Sequence, residues 1–207
     1  MLQRMTLQLQ RLSALCLATA LAACGGGGSD TPGTAAAPPP AVAPAPPAAA
    51  PPPPAGATGT RATCGLANFE IEAMALVNAH RAAGAQCGAQ GSFPAAPALA
   101  WNSALTQASL VHSDDMMALN FFSHTGSGGA DAGQRATAAG YIWQTWGENI
   151  AAGQPSVGSV MAGWMASPGH CANLMNARFR DIGLACVSGG AGNTYRTYWT
   201  MTLGTAR

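Results

Sequence analysis

Lysine is missing from this chain altogether: all nine basic residues among its 207 are arginine, and charged residues make up only 8%. There is no basic run anywhere, so the electrostatic footprint of a nucleic-acid binder is absent and that partner class is excluded. With Arg4 and Arg11 set aside as part of a leader, seven arginines face eight acids, a net charge of −1. Long-range steering of charged ligands is therefore weak. No apolar run reaches the ~20 residues that a membrane-spanning helix needs. Nor is there a CxxC or HxxxH spacing for a zinc cage, an HExxH helix, or the GxSxG elbow of a serine hydrolase.

What is present falls into three parts. Residues 1–24 read as an export signal, with Arg4 and Arg11 followed by the short apolar run from Leu12 to Ala22. The run ends Leu21-Ala22-Ala23-Cys24, which resembles a bacterial lipobox and makes Cys24 the expected lipid-modified first residue and the contact with a membrane. Ordinary cleavage after Ala20-Leu21-Ala22 is the alternative. Gly25, rather than Asp, follows the cysteine, the pattern of lipoproteins exported onward to the outer membrane, so an envelope-anchored or extracellular location is expected. Residues 25–62 form a Pro/Ala/Gly-rich tether, with eleven prolines before Gly59 and Asp30 its one charge in that stretch. Such a composition cannot bury enough apolar surface to offset chain entropy, and its Pro clusters favour polyproline II. At about 3.1 Å per residue the tether spans up to roughly 100 Å.

Residues 63–207 are the right length for one domain with one core. Asn68 is placed to cap a helix with Glu70 and Glu72 in its first turn; Ile71, Met74 and Val77 or Asn78 follow at helical spacing, and Gly84 ends it. Pro94 and Pro97 make Gly91 to Ala98 a loop, after which Leu99 and Trp101 are read as entering a second helix. Leu105, Ala108, His112, Met116 and Leu119 form one stripe of it, which makes His112 a core histidine, with Phe121 and Phe122 closing the helix against the core. A short helix is expected from Asp131 to Ala139 and an aromatic-rich strand through Tyr141–Ile150. Ser156 caps a helix carrying Val157, Val160, Met161 and Trp164. Alternation over 181–187 and 194–203 reads as a β-hairpin. Helices first and a hairpin last predict an α+β domain.

Outside the leader and the lipobox four cysteines remain, Cys64, Cys87, Cys171 and Cys186; an even number in an exported domain predicts two disulfides. Three connectivities are open. Cys171 with Cys186 is favoured because a short helix followed by a strand brings them together, leaving Cys64 with Cys87.

The chemistry centres on Trp164 to Asn173. Pro168 stops the incoming helix and Gly169 frees the turn, so His170 starts a new helix at the end of the old one. Alone, such a histidine is a solvated turn residue. Two further stretches, Phe121-Phe122-Ser123-His124 and Gly147-Glu148-Asn149, add a second imidazole and an acid. Together with Asn78-Ala79-His80-Arg81, Leu99-Ala100-Trp101-Asn102 and His112-Ser113-Asp114-Asp115-Met116, they resemble the CAP superfamily of cysteine-rich secretory, antigen 5 and pathogenesis-related proteins, from Cys64 to Leu203. The resemblance implies an α-β-α sandwich with a small antiparallel sheet between helical layers. It also implies a cleft lined by His124, Glu148 and His170, with Ser167 where better-known members carry a second glutamate, and it suggests lipid or sterol binding. Asn78 and Arg81 match family positions and read as buried hydrogen-bonding groups.

Two imidazoles and one acid are enough to hold Zn²⁺, with Glu148 either the third ligand beside His124 and His170 or the group that orients an imidazole. No cofactor is otherwise called for. The function expected is a non-enzymatic, envelope-tethered binding module that takes a lipid, sterol or other small ligand. The alternatives are a metal-dependent hydrolase of envelope peptide, glycan or lipid, and a structural or adhesive surface domain.

Overall fold

The computed structural model describes residues 60–207. The leader, the Cys24 lipidation site and the tether as far as residue 59 lie outside the described residues. A four-stranded sheet runs in the order β3 (Ala100–Trp101), β5 (Asp181–Ser188), β6 (Thr197–Ala206), β4 (Trp143–Ala152). The last three are antiparallel, with Leu184 opposite Met201 and Glu148 opposite Thr202, whereas β3 joins β5 in parallel.

Strand alternation decides which helices cover which face. Ile182, Leu184, Cys186, Trp199, Met201 and Leu203 share one face and are fully buried. They pack against Phe69, Ala73 and Val77 of α1 (Phe69–Ala83) and Val157, Val160, Met161 and Trp164 of α4 (Val157–Ala166), with Leu174 of α5 (Pro168–Met175). The opposite face meets α2 (Ser103–Ala118) along a polar seam: Ser109 Oγ donates to the Gly183 carbonyl and lies 2.8 Å from Thr202 Oγ1, and Ser113 Oγ donates to Thr200 Oγ1. Helix and strand approach so closely there that a side chain at Gly183 would stand 2.1 Å from the Thr106 amide nitrogen. The expected α-β-α sandwich is the architecture found.

Several local expectations are corrected by this packing. Leu99 and Trp101 do not enter a helix: Ala100–Trp101 is the parallel strand β3, and α2 starts after Asn102, whose Oδ1 accepts from the amides of Ala104 and Leu105. Asn68 precedes α1 with a left-handed φ of 54° and makes no side-chain cap. The buried stripe of α1 is Phe69, Ala73, Val77 and Arg81, so Ile71 is left 71% exposed. Leu119 falls past the end of α2 and Phe122 beyond it, and both are exposed rather than closing the core. Gly91 to Ala98 is not wholly loop, since β1 (Ala85–Gln86) and β2 (Ser92–Phe93) form a small antiparallel pair. Arg81 and Asn78 act as expected. Arg81 donates to the carbonyls of Pro97, Leu174, Asn176 and Phe179, while Asn78 and Leu99 exchange two hydrogen bonds.

The favoured cysteine pairing is overturned. The bridges are Cys64–Cys186 and Cys87–Cys171. Thr60–Ala62, counted in the tether from sequence, forms a single helical turn on the domain with Ala62 buried. The chain then runs along the edge of β5 beyond the end of β3, with the Cys64 amide donating to the Cys186 carbonyl at 3.0 Å. That edge pairing takes Cys186 to Cys64, and α5 turns Cys171 into a separate cluster with Cys87 and Met175.

Candidate functional site

Glu148 lies on β4, an outer strand of the sheet, opposite Thr202, and cross-strand partners share a face, so its side chain points to the α2 side. The carboxylate is only 3% exposed. A buried carboxylate needs partners, and this one has two. Oε1 accepts from His124 Nδ1 at 2.7 Å, and Oε2 accepts from Arg135 Nη2 at 2.5 Å. An ionised carboxylate only accepts, so the shared proton sits on His124 Nδ1, and in the neutral ring Nε2 is left as an unspent acceptor. The His124 side chain is 58% exposed.

His124 stands on a loop with little backbone structure of its own, and side chains from two helices fix it. His112 Nε2 donates to the Ser123 carbonyl at 2.8 Å. Asp115 accepts from the Ser127 amide at 2.7 Å and from its hydroxyl at 2.6 Å. Arg135, from α3 (Ala132–Ala138), donates to the carbonyls of Ala130 at 2.6 Å and His124 at 3.1 Å as well as to Glu148. Helix α3 is itself started by a reciprocal cap between Asp131 and Gln134. His112 is a core histidine as expected, but its buried Nδ1 has no partner among the described residues. Burial pushes its pKa below the ordinary histidine value, with the nearby Arg135 charge adding to the effect.

His170 approaches from the other side of the same edge strand. It lies in the first turn of α5, where its carbonyl accepts from Asn149 Nδ2 at 3.1 Å. Asn173, one turn on, donates to the carbonyl of Glu148 and to Asn149 Oδ1, so α5 caps an edge of β4 that would otherwise be open. Burial lowers the His170 pKa, and repulsion from His124 lowers it further.

Beside this dyad is a hollow of about 400 Å³ lined by His124, Thr125, Asp131, Trp146, Glu148 and Asn173. Its only aliphatic side chain is Ala132, with Gly147 completing the wall. His170 and Ser167 are not part of that lining. Ser167 occupies the junction between α4 and α5 and makes no side-chain cap to α5. The structure thus joins His124 to Glu148 directly, while His170 and Ser167 both stay outside the lining of the hollow.

These residues do not fit a three-ligand zinc set. Glu148 spends both oxygens on His124 and Arg135, which leaves it the orienting group for an imidazole. Among the described residues no group of three or more His, Cys, Asp or Glu side chains is placed to hold a metal ion.

Arg135 is the residue the sequence reading missed. A signal existed: it is the single basic residue between Arg81 and Arg178, set between His124 and Glu148 in the chain. Asn149 and Asn173 were visible as parts of motifs, but their tie between β4 and α5 was not. Asp131 and Trp146 gave no sign that they would share a hollow.

The model of the cysteine-rich secretory protein family, CAP, matches residues 74–203. The uncharacterized protein YkwD of Bacillus subtilis (strain 168) is 31% identical over 134 residues, 65% of this chain and 48% of the relative, so the chain spans about half of that protein's length. An extracellular protein containing an SCP domain from Bacillus anthracis str. Ames is 30% identical, with 53% of this chain and 34% of that one covered at a TM-score of 0.46. An outer surface protein of Borrelia burgdorferi is 18% identical, with 54% and 80% covered at a TM-score of 0.49.

Proposed function

Given that the chain belongs to the cysteine-rich secretory protein (CAP) family, we propose that it is an exported, envelope-tethered binding module whose ligand enters the hollow beside His124 and Glu148. In this reading lipid on Cys24 anchors the chain at the outer membrane, and the tether holds the domain away from it. The observation that carries the proposal is the double commitment of Glu148. With one oxygen on His124 and the other on Arg135, the carboxylate is a fixed support that aims an imidazole at solvent.

The lining favours a small polar ligand over a sterol or an acyl chain. An apolar molecule of that size is bound by burying its surface against aliphatic and aromatic side chains, and here those amount to Ala132 and Trp146.

A hydrolase is the second reading, and the same dyad favours it, because a carboxylate that fixes an imidazole through Nδ1 prepares Nε2 as a general base. Thr125 is the one hydroxyl side chain in the lining. A structural or adhesive role is the third reading.

The test is a fragment screen by NMR on the mature exported chain, purified without added zinc and read at the His124 and His170 ring signals. Ligands of the proposed site shift the His124 ring, and their affinity drops in His124→Ala. Hits whose affinity is the same in wild type and His124→Ala refute the proposal, as does a screen that leaves the ring signals unmoved. Turnover of an envelope peptide or glycan that stops in His124→Ala would establish the hydrolase instead.

A further inference from the structure

This step builds on the reading of the hollow as a binding site and names the class of ligand. Four properties of the lining narrow it. The hollow has the volume of a small-molecule site but no aliphatic wall, so a fatty tail has nothing to lie against. It holds no available cation, because the single arginine beside it, Arg135, is buried and spent on Glu148 and two carbonyls. The one uncompensated charge in the lining is the exposed Asp131 carboxylate. Anionic ligands such as carboxylates and phosphates therefore meet repulsion from Asp131 and no free arginine or lysine to offset it.

The third property is the aromatic wall. Trp146 is half-buried, and its indole is packed so tightly on α3 that a side chain at Gly133 would stand 2.4 Å from Nε1. Trp143 crosses it edge-on with ring centroids 6.4 Å apart. Trp146 is thus a rigid apolar plate in an otherwise polar hollow. The fourth is the set of hydrogen-bonding groups still unspent. His124 Nε2, Asn173 Oδ1 and the Trp146 indole N–H have no partner among the described residues, while Asn173 Nδ2 and His124 Nδ1 are both engaged. Two acceptors and one donor beside a carboxylate suit a ligand rich in hydroxyl and amide N–H groups that also carries one carbonyl.

A neutral ring with one apolar face, hydroxyls at its rim and an amide meets all four conditions. We infer that the hollow binds a hexosamine ring of an N-acetylated glycan, with the apolar face of the sugar on Trp146 and its hydroxyl and acetamido groups shared among Asp131, Asn173 and His124. The sugar is recognised as a single ring, so a free chito-oligosaccharide and a cell-wall glycan present the same chemistry.

The experiment titrates the mature chain with N,N′,N″-triacetylchitotriose and, separately, with disaccharide-peptide fragments of peptidoglycan, following the Trp146 indole N–H and the His124 ring by NMR. Maltotriose, which lacks the acetamido group, and octanoate run in parallel. Saturable shifts of both reporters with either N-acetylated ligand, at least several-fold tighter than with maltotriose, are the expected result. Trp146→Ala lowers affinity roughly tenfold, equivalent to the loss of about 1.4 kcal/mol. Trp146→Phe, which keeps an aromatic plate, retains most of the binding and covers the case in which the alanine variant does not fold. Asp131→Asn, which preserves the helix cap, weakens binding several-fold.

Maltotriose binding as well as chitotriose overturns the acetamido assignment. Octanoate moving both reporters while no sugar does so overturns the inference and leaves the binding-module reading standing. If neither sugars nor octanoate shift the reporters, but fragments from the wider screen do, the glycan inference alone falls. If nothing does, both fall.

Discussion

Replacing Arg135 by methionine should do more damage than any surface charge change in the domain, for reasons that can be worked through from its contacts. The Arg135 and Glu148 side chains are 7% and 3% exposed, so the small values found for solvent-exposed ion pairs do not apply. Removing one partner of a buried pair leaves an uncompensated charge, which costs about 3–5 kcal/mol. The carbonyls of His124 and Ala130 also lose a charged donor, but both lie near solvent and water takes its place. The expected loss is therefore about 3–5 kcal/mol, a large share of the roughly 5–15 kcal/mol that holds a domain of this kind together. Glu148→Gln in the Arg135→Met background relieves that penalty, so the double variant is more stable than Arg135→Met alone. Urea unfolding of the four proteins at neutral pH, with linear extrapolation, gives the coupling energy directly. The account is refuted if Arg135→Met costs less than about 1 kcal/mol, the ceiling for exposed pairs, or if adding Glu148→Gln destabilises it further.

Non-reducing peptide mapping should recover Cys64 joined to Cys186 and Cys87 joined to Cys171, and either alternative pairing would refute the edge-strand account of the N-terminal segment. Because these bridges close loops of 122 and 84 residues, replacing either pair by alanine should cost about 4–5 kcal/mol by the chain-entropy argument, again read by urea unfolding. The domain should also lose stability on acidification. His112 and His170 have folded pKa values pushed down mainly by burial, so below the ordinary histidine value the unfolded chain binds protons that the folded one refuses. Stability then falls as pH drops through that window and levels off below the folded values. His112→Gln should flatten this dependence, and an unchanged slope in thermal melts between pH 7 and pH 5 would refute the assignment.

The sequence carried the polymer-level facts, because these depend on near neighbours in the chain. Pro168-Gly169 separates two helices through backbone limits of its own, Ser156 caps α4 through its own local amides, and alternation over 181–187 marks out a strand. The family motifs added the layered architecture and the residues His124, Glu148 and His170. What local patterns could not reach were choices between equivalent partners. Four cysteines pair three ways, and only the course of Thr63–Cys64 along the edge of β5 selects one. Ile71 and Phe69 are equally plausible as buried residues, and only the position of the sheet turns Phe69 inward.

The site divides along the same line. Sequence named an acid and two imidazoles, but the role of that acid depends on Arg135, which reaches it from a separate helix, α3. Whether Glu148 serves as ligand, base or support is a question of which donors occupy its two oxygens. That is settled by distances of a few ångströms between separate elements, and no spacing along the chain records them.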